Sequence, residues 1–379
     1  MKVLMVGHYR LEGYPRGKVI YSGLKKNNVE VDVFVRGGKL KYPQIMRRVL
    51  RNDYDALIPT GILTLFVSKL ACRKPVLFDA FISNYDSLVC DRAVVAKNSP
   101  KAKLLWLGDK YSCIFADRVI VDTEEHRDYF VKEFGLDARK FRSIPVSADE
   151  GIFHPMTGAG NQILRPEGRS MTYKPARCSI HLRPEGRSIL PVCNNPTFNV
   201  TFIGSFIPLQ GVEYIIKAAK LLGGEDIEFN IIGTGQTFRE MKALSAKLNT
   251  RNVKFLGWKS YDELPSVMAK ADICLGIFGI TEKAKRVIPN KAYETIAMRK
   301  PLITGDTAAI RRFFHDGENC ILCEIGNEKA IAEAILRIKK DPALREKIAS
   351  NGYRLFKERF AAEAIGREVK EFISAALSP

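Results

Sequence analysis

The sequence predicts an α/β protein built from two Rossmann-like domains whose parallel sheets face a central cleft. Short β-branched runs alternate with amphipathic segments through both halves of the chain, and this alternation implies parallel strands joined by right-handed crossovers. The chain has 379 residues, 46% of them hydrophobic. This length suits two ordinary domains, and the composition excludes a disordered or fibrous protein.

In the N-terminal half, β-branched runs predict strands, and apolar stripes predict the helices between them. The predicted strands cover residues 2–6, 29–35, 55–59, 75–81 and 117–123, and the predicted helices cover residues 14–27, 42–52 and 100–116. We expect Thr123 to cap a further helix that begins near Glu124. Residues 1–155 are therefore predicted to form the first domain.

The C-terminal half repeats the same alternation. Its predicted strands cover residues 200–203, 227–232, 253–256, 273–278, 301–304 and 320–324. The helix after the first of these strands carries one apolar stripe that includes Val212, Ile216 and Ala219. Residues 197–355 are predicted to form the second domain, and an amphipathic helix at about residues 356–379 is expected to pack back on the first.

A segment between the two halves interrupts the pattern. The heptapeptide LRPEGRS occurs at residues 164–170 and again at 182–188, in a stretch rich in Pro, Gly and Arg. We interpret residues 157–196 as a basic insertion or linker without regular structure. It is either a tolerated surface loop or a basic arm that touches a membrane or a polyphosphate.

The net charge of +18 predicts an anionic partner, which nucleic acid, an acidic membrane or a phosphorylated small molecule would each satisfy. No nucleic-acid reader motif accompanies the charge, so nucleic acid is not an expected partner. The basic helix with Arg47, Arg48 and Arg51 interleaves these cations with Ile45 and other apolar residues. Such a helix is either merely solvated or rests on anionic lipid.

Cysteine usage and apolar runs bear on the compartment. Eight Cys in a chain of this length do not form a dense disulfide framework and favour a reducing compartment. The first apolar run is too short for a signal peptide, and Lys69 interrupts the longest run, residues 62–72, which is too short to span a membrane. The expected location is cytoplasmic, possibly peripheral at the inner face of the cell membrane.

The first candidate site follows a strand of the second domain. Gly233 and Gly235 end the strand of residues 227–232 and precede a helix near Phe238, where a phosphate approaches backbone and helix terminus. A full dinucleotide fingerprint would require Gly at position 238. The glycines therefore indicate either a phosphate-binding turn or an ordinary strand-to-helix turn.

The second candidate site lies within residues 278–306. Three cations, Lys283, Lys285 and Arg286, precede a helix that begins at Asn290 and carries Lys291 and Glu294. A helix N-terminus flanked by cations suits a diphosphate, and Glu294 can accept hydrogen bonds from the two vicinal hydroxyls of a ribose. The alternative is a solvated basic loop in which Glu294 pairs with a neighbouring Lys.

These residues carry a resemblance to a known family. Four stretches of the C-terminal half, residues 200–211, 231–235, 253–265 and 294–301, follow one another in family order. This half resembles the family 4 retaining glycosyltransferases, the "glycosyl transferases group 1", which have the GT-B fold. Residues 144–155 look like the crossover between the two domains of that family. Segments around residues 14–20 and 79–92 are similar to a less-studied branch of it.

The resemblance implies a hexosyltransferase-type enzyme that moves a sugar from a UDP- or GDP-type donor to a glycan, a glycolipid or a lipid-linked acceptor. It implies that the C-terminal domain binds the donor and the N-terminal domain the acceptor. Glu294 would hold the ribose, and Trp258 with Lys259 would border the base. The proposed donor-binding residues are Gly204, Gln210, Gly211, Gly233, Gly235, Trp258, Lys259, Lys283, Lys285, Asn290, Lys291 and Glu294.

On the acceptor side, residues that follow an N-terminal strand would face the cleft: Tyr85, Asp86, Asp91 and Arg92. The alternative is that they are caps and pairs at a strand end. Arg286, Asp79 and His8 are the candidate catalytic residues. Retaining transfer in this fold is thought to need no protein nucleophile, so the residues would position the substrates and stabilise phosphate charge.

The sequence departs from the family pattern at several positions. Arg286 stands where the family has a sugar-contacting Glu, Phe206 and Gln210 stand where it has two phosphate-binding cations, and Arg299 replaces a Gly. Cations in residues 283–291 would replace the lost phosphate contacts. Two alternatives follow from these departures: a nucleotide-sugar epimerase or hydrolase on the same fold, or a non-catalytic nucleotide-sugar-binding subunit.

Two further signals are interpreted as structural, and neither a metal nor another cofactor is expected. Asp53 and Asp55 form a D-x-D that is predicted to lie in a solvated turn. Cys320 and Cys323 form a lone C-x-x-C without the second pair that zinc requires. His126, on a predicted helix, and His181, in the insertion, are expected at the surface.

Overall fold

The computed structural model describes residues 1–7, 15–38, 40–156 and 197–377. All strands that it describes are parallel to their neighbours, in sheets that the chain enters one after the other. Both halves have the strand and helix alternation of doubly wound α/β structure. The prediction of two parallel sheets with helices between the strands is confirmed.

The N-terminal sheet has the order β2-β1-β3 followed by β4-β5-β6, and a bridge between Leu57 and Val76 joins the two groups. Its strands are β1 (Lys2–Gly7), β2 (Glu30–Val35), β3 (Ala56–Pro59), β4 (Leu77–Asp79), β5 (Arg118–Val121) and β6 (Phe141–Ser143). Its helices are α1 (Pro15–Lys26), α2 (Lys41–Val49), α3 (Ile62–Ala71), α4 (Pro100–Phe115) and α5 (Glu124–Phe134). The Thr123 hydroxyl accepts from the His126 backbone N–H, which confirms the predicted cap of α5.

The C-terminal sheet has the order β12-β11-β10-β7-β8-β9. Its strands are β7 (Phe198–Ile203), β8 (Ile227–Ile232), β9 (Val253–Gly257), β10 (Ile273–Leu275), β11 (Leu302–Gly305) and β12 (Ile321–Cys323). The helices are α6 (Val212–Leu221), α7 (Phe238–Leu248), α8 (Leu264–Ala269), α9 (Asn290–Ala297), α10 (Ala308–Arg311), α11 (Glu328–Lys340), α12 (Pro342–Leu355) and α13 (Ala362–Leu377). The predicted apolar stripe of α6 is buried in the core of this sheet, which confirms that pattern.

The last helix, α13, packs against α1 of the N-terminal half. A Cβ built on Gly23 would lie 2.1 Å from the carbonyl oxygen of Ala362, and one built on Gly366 would lie 2.0 Å from the carbonyl carbon of Gly23. The Asn27 amide donates to the Glu363 carbonyl at 2.8 Å. Two glycines therefore allow the helix backbones to touch, and the chain returns to the domain in which it began.

Helix α2 is the basic helix that the sequence suggested for lipid contact, and part of it is buried. Ile45 and Arg48 are buried, and the Arg48 guanidinium donates to Asp53 at 2.6 Å and to Asp32. These two side chains therefore point into the protein and are not available for contact with lipid. Of the helices in the described residues, none is long and apolar enough to cross a membrane.

Candidate functional site

Two glycine turns form a wall at the carboxyl ends of β7 and β8. Gly233 has φ 127°, and a Cβ built on it would lie 2.0 Å from the carbonyl oxygen of Gly204. Gly235 has φ 153°, and its Cβ would lie 2.7 Å from the backbone nitrogen of Phe206. Only glycine fits either position, because one loop lies directly against the backbone of the other. The sequence signal at Gly233 and Gly235 thus reflects a close approach of two backbones.

Beside this wall lies a pocket of about 440 Å³. Gly204 and Gly233 line it on one side, and Tyr261 and Lys259 line it on the other. Trp258 stands at its margin with 69% of its surface exposed. The volume and the mixture of backbone, aromatic and charged groups are those of a small-molecule site.

A buried cation lies directly behind the wall. Lys291, in the first turn of α9, is 7% exposed, and its ammonium would be 2.6 Å from a Cβ built on Gly204. Its Nζ donates to the Gln210 side-chain oxygen and lies 3.7 Å from the centroid of the Phe202 ring. Burial lowers the pKa of Lys291 well below its ordinary value, and the nearby Glu294 opposes that shift. A desolvated ammonium next to a glycine wall is suited to an anionic ligand.

Glu294 lies one turn further along α9. It is 5% exposed, and burial raises its pKa to about 7, against the opposing effects of Lys291 and of the Tyr261 hydroxyl. Since Tyr261 lines the pocket, the carboxyl group of Glu294 belongs to the same constellation. The alternative in which a surface Glu294 pairs with a Lys in a solvated loop is wrong, because both Glu294 and Lys291 are buried.

The two positions where the family has phosphate-binding cations have structural roles here. Phe206 is buried and packs edge-on against Phe238, with ring centroids 5.0 Å apart. Gln210 is nearly buried and accepts from the Lys291 ammonium. Gly211 follows it with φ 65°, in the left-handed region. A Cβ built on Gly211 would lie 2.4 Å from the Gly279 backbone nitrogen. Gln210 thus orients the buried cation behind the glycine wall.

The cations of residues 283–286 do not all reach this pocket. The Arg286 guanidinium donates to Asp86 at 2.7 Å, and the Lys283 ammonium lies 3.9 Å from the other Asp86 oxygen. Lys285 instead pairs with Glu282 at the surface, 2.6 Å away. Without a ligand, the buried Asp86 carboxylate therefore pairs with two of these cations and the third is solvated, and their contact with a diphosphate stays a prediction.

The acidic side of the cleft belongs to the N-terminal sheet. Asp79, at the end of β4, accepts from Arg16 Nε at 2.9 Å, and both side chains are buried. Asp122, just after β5, lies 2.6 Å from His126 Nδ1. His126 is fully buried, so its expected surface position is wrong. The Asp-x3-His spacing across a strand end and the first turn of a helix was the available signal for this pair.

The remaining acceptor-side candidates divide into two groups. Asp91 accepts from the Thr281 hydroxyl at 2.8 Å, and burial raises its pKa. The Arg92 carbonyl accepts from the Gln236 amide at 2.9 Å, so both residues contact the C-terminal half. Tyr85 instead lines a separate pocket beside α4, and its backbone N–H donates to Asp109 at 2.8 Å.

A few candidates lie elsewhere. Asn290 begins α9 and is half-buried. His8, His181 and both copies of the heptapeptide fall outside the described residues. Cys320 and Cys323 are buried, and within the described part of the chain there is no group of three His, Cys, Asp or Glu that would hold a metal ion.

The comparisons with known proteins agree with this geometry. Residues 193–355 match the family of glycosyl transferases group 1. An uncharacterized glycosyltransferase of Methanocaldococcus jannaschii is 30% identical over 162 residues, 43% of this chain and 44% of that protein. A lipopolysaccharide core biosynthesis glycosyltransferase of Rhizobium meliloti is 26% identical over 167 residues, 44% of this chain and 46% of that protein. The chain thus aligns with less than half the length of these relatives.

The fold extends over both halves. HepE from Anabaena, crystallised in complex with UDP, superposes with a TM-score of 0.68 and 17% identity, covering 99% of this chain and 100% of HepE. The predicted fold class, two Rossmann-like domains in the GT-B arrangement, is confirmed. The family match over residues 193–355 lies in the C-terminal half, which contains the glycine wall, Lys291 and Glu294.

Proposed function

We propose that the chain is a retaining, family 4 glycosyltransferase that moves a hexosyl group from a UDP- or GDP-type sugar to a glycan, a glycolipid or a lipid-linked acceptor. The observation that carries the proposal is the buried Lys291 ammonium behind Gly204, with Glu294 one turn away beside the same pocket. The group 1 family match over residues 193–355 supports it. HepE's complex with UDP and the Rhizobium relative's role in lipopolysaccharide core biosynthesis favour this donor and acceptor class.

In this proposal the donor lies along the glycine wall. The diphosphate takes the place next to Gly204, where backbone amides and the Lys291 ammonium offset its charge. Glu294 accepts hydrogen bonds from the ribose hydroxyls, and Trp258 covers the base. Binding of the nucleotide would raise the pKa of Lys291, because the diphosphate places negative charge beside an ammonium that burial otherwise destabilises.

The proposed chemistry breaks the bond between the sugar C1 and the diphosphate oxygen and forms a bond from C1 to an acceptor hydroxyl oxygen on the same face. The hydroxyl proton passes to the leaving diphosphate, so charge and atoms balance without a protein nucleophile. The role of Lys291 is to stabilise the charge that grows on the diphosphate as it leaves. Asp79 already accepts a hydrogen bond from Arg16, and this pairing favours a positioning role over nucleophilic attack.

The acceptor side of the proposal uses the N-terminal edge of the cleft. Asp79, Asp86 and Asp122 follow strands or lie near strand ends of that sheet, and sugar hydroxyls are natural donors to such carboxylates. Metal-independent transfer is also part of the proposal, as is a cytoplasmic enzyme that works at the membrane surface when its acceptor is lipid-linked. Excess EDTA should therefore leave turnover unchanged.

A turnover assay tests the proposal against its rivals. The wild-type protein is incubated with UDP-glucose and, in parallel, GDP-mannose, with and without a panel of glycan and lipid-linked acceptors, and nucleotide release and the product anomer are followed by NMR. We expect acceptor-dependent release with an α-linked product, strongly reduced in Glu294→Gln. Equal turnover without acceptor would indicate a hydrolase or epimerase, and nucleotide binding without any turnover would indicate a non-catalytic subunit.

A further inference from the structure

The outward faces of α3 and α4 have an inverted polarity. In α3, the buried positions include Thr64 and Ser68, whereas Leu63 and Leu70 are 61% and 81% exposed. Phe66 and Val67 lie between these two leucines on the same side of the helix and are half-buried. A surface helix of a globular domain usually buries its leucines and exposes its hydroxyls. Leu65 is buried in the core, but α3 otherwise exposes its leucines while burying two hydroxyl groups.

The neighbouring helix α4 shows the same inversion. It buries Asp109 and Ser112 and exposes Leu104, Tyr111 and Phe115. The two helices contact each other through their outer residues, because the Phe66 and Phe115 rings meet edge-to-face with centroids 5.6 Å apart. The exposed residues and the half-buried Phe66 form the outward apolar side of these two helices, which we call the α3–α4 face: Leu63, Phe66, Leu70, Leu104, Tyr111 and Phe115.

The charge around this face is mainly positive. Helices α2 and α3 contain no Asp or Glu, and the single carboxylate of α4, Asp109, is buried. The cations on these helices and the turns that follow them are Lys41, Arg47, Arg48, Arg51, Lys69, Arg73, Lys74, Lys101, Lys103 and Lys110. Of the exposed carboxylates nearby, Asp53 and Asp117 are paired with the cations Arg48 and Lys69, and Glu133 accepts from the indole N–H of Trp106 on α4 at 2.9 Å.

We propose that the α3–α4 face docks on an anionic lipid bilayer. Its apolar side chains would enter the boundary between headgroups and acyl chains, and the exposed cations of α2 and of the α3 and α4 ends would contact lipid phosphates. Charge complementarity selects this occupant, since Lys and Arg outnumber exposed carboxylates around these leucines and match a negative surface. The site differs from the α2 stripe inferred from sequence, in which Ile45 and Arg48 turn inward.

Vesicle co-sedimentation tests the proposal on the full chain. Vesicles of phosphatidylcholine with phosphatidylglycerol are compared with vesicles of phosphatidylcholine alone. The wild type should bind the anionic vesicles in a salt-sensitive manner, and the double variant Leu63→Glu/Leu70→Glu should bind about tenfold more weakly or worse, because two apolar anchors become anions. Leu221→Glu is the matched control: Leu221 is 54% exposed on α6 of the other domain, and its variant should bind as the wild type does.

Three results would overturn the proposal: no binding of the wild type to anionic vesicles, equal binding by the double variant, or equal loss in Leu221→Glu. Light scattering without vesicles adds a fourth. A wild-type dimer that the double variant dissociates would assign the face to a second copy of the chain. The thermal shift produced by UDP should be the same in the wild type and the double variant, which separates this proposal from the proposed donor site and excludes misfolding.

Discussion

The two edges that face each other across the cleft differ in whether backbone or side chains form them. The C-terminal edge is mainly backbone: Gly204, Gly233 and Gly235 lie in close contact, with Lys291 as a buried charge behind them. The N-terminal edge is mainly side chains, and its carboxylates are engaged, as Asp79 is by Arg16. A backbone wall with a cation suits an anion of fixed shape, whereas paired carboxylates suit hydroxyl donors that vary.

This difference agrees with the extent of the family match. The family match ends at residue 355 and begins at 193, so it includes the backbone wall and excludes the acidic edge. Glycine positions admit few substitutions, because a methyl group collides with the opposite loop. Ion pairs such as Asp86 with Arg286 can be replaced by other combinations of side chains that hold a different acceptor.

The largest effect is expected from Gly233→Ala, which tests whether the C-terminal edge depends on backbone contact. The new methyl group would meet the Gly204 carbonyl, and φ 127° is strained for any other residue, so unfolding free energy should fall by about 3 kcal/mol. Denaturant unfolding measures this. Gly224→Ala is the control, since no atom lies within 4 Å of its Cβ, and a similar loss there would refute the contact account.

Asp86→Asn breaks the acidic edge instead. Asp86 is 1% exposed, and its neutralisation leaves Arg286 and Lys283 without their counter-charge, so unfolding free energy should fall by about 2.5 kcal/mol. UDP affinity should be unchanged or higher. Asp128→Asn, which removes an exposed partner of Arg127, should change stability by less than about 0.5 kcal/mol. Loss of UDP binding in Asp86→Asn would place the donor on both edges.

Lys291→Met tests the charge behind the glycine wall. Loss of a charged hydrogen-bond donor to the diphosphate should weaken UDP binding by about 2 kcal/mol, or roughly thirtyfold, in isothermal titration calorimetry. Lys285→Met removes a similar cation that only pairs with Glu282 and should leave the affinity as it is. Equal losses in the two variants would mean that general electrostatic attraction, and not this buried site, binds the nucleotide.

Glu294 gives the smallest effect and a pH dependence. Below pH 7 its carboxyl group is protonated, so it loses one of the acceptor positions for ribose hydroxyls, and UDP affinity should rise about tenfold from pH 6 to pH 8. Glu294→Gln should remove this component, and the difference between the two proteins cancels the titration of UDP itself. Parallel pH profiles would show that Glu294 does not contact the nucleotide.

The same pKa predicts the sign of a stability effect. Without ligand, the folded state binds more protons than the unfolded state between pH 4.5 and about 7, so the contribution of Glu294 to stability falls as the pH rises through that window. The melting temperature of Glu294→Gln should therefore rise relative to that of the wild type as the pH is raised from 5 to 8. A melting temperature of the variant that falls relative to that of the wild type over this range would contradict the raised pKa.

The sequence was sufficient for the fold and for the C-terminal edge. Strand and helix periods are local patterns, and the glycines with Lys291 and Glu294 lie in short segments with a family resemblance. It was not sufficient for the acidic edge, because Asp86 and Arg286 are 200 residues apart and their contact depends on how the halves meet. The inverted faces of α3 and α4 were also missed, since periodicity shows a stripe without showing which side is solvated.

The central claim is that the nucleotide binds the C-terminal edge of the cleft. Hydrogen–deuterium exchange of the wild type with and without UDP tests it most directly, because it reads both edges at once. We predict slower exchange in peptides covering residues 203–206, 232–235 and 258–264, with little change in residues 79–92 and 122–126. Protection confined to the N-terminal peptides, or no protection with either UDP or GDP, would contradict the account.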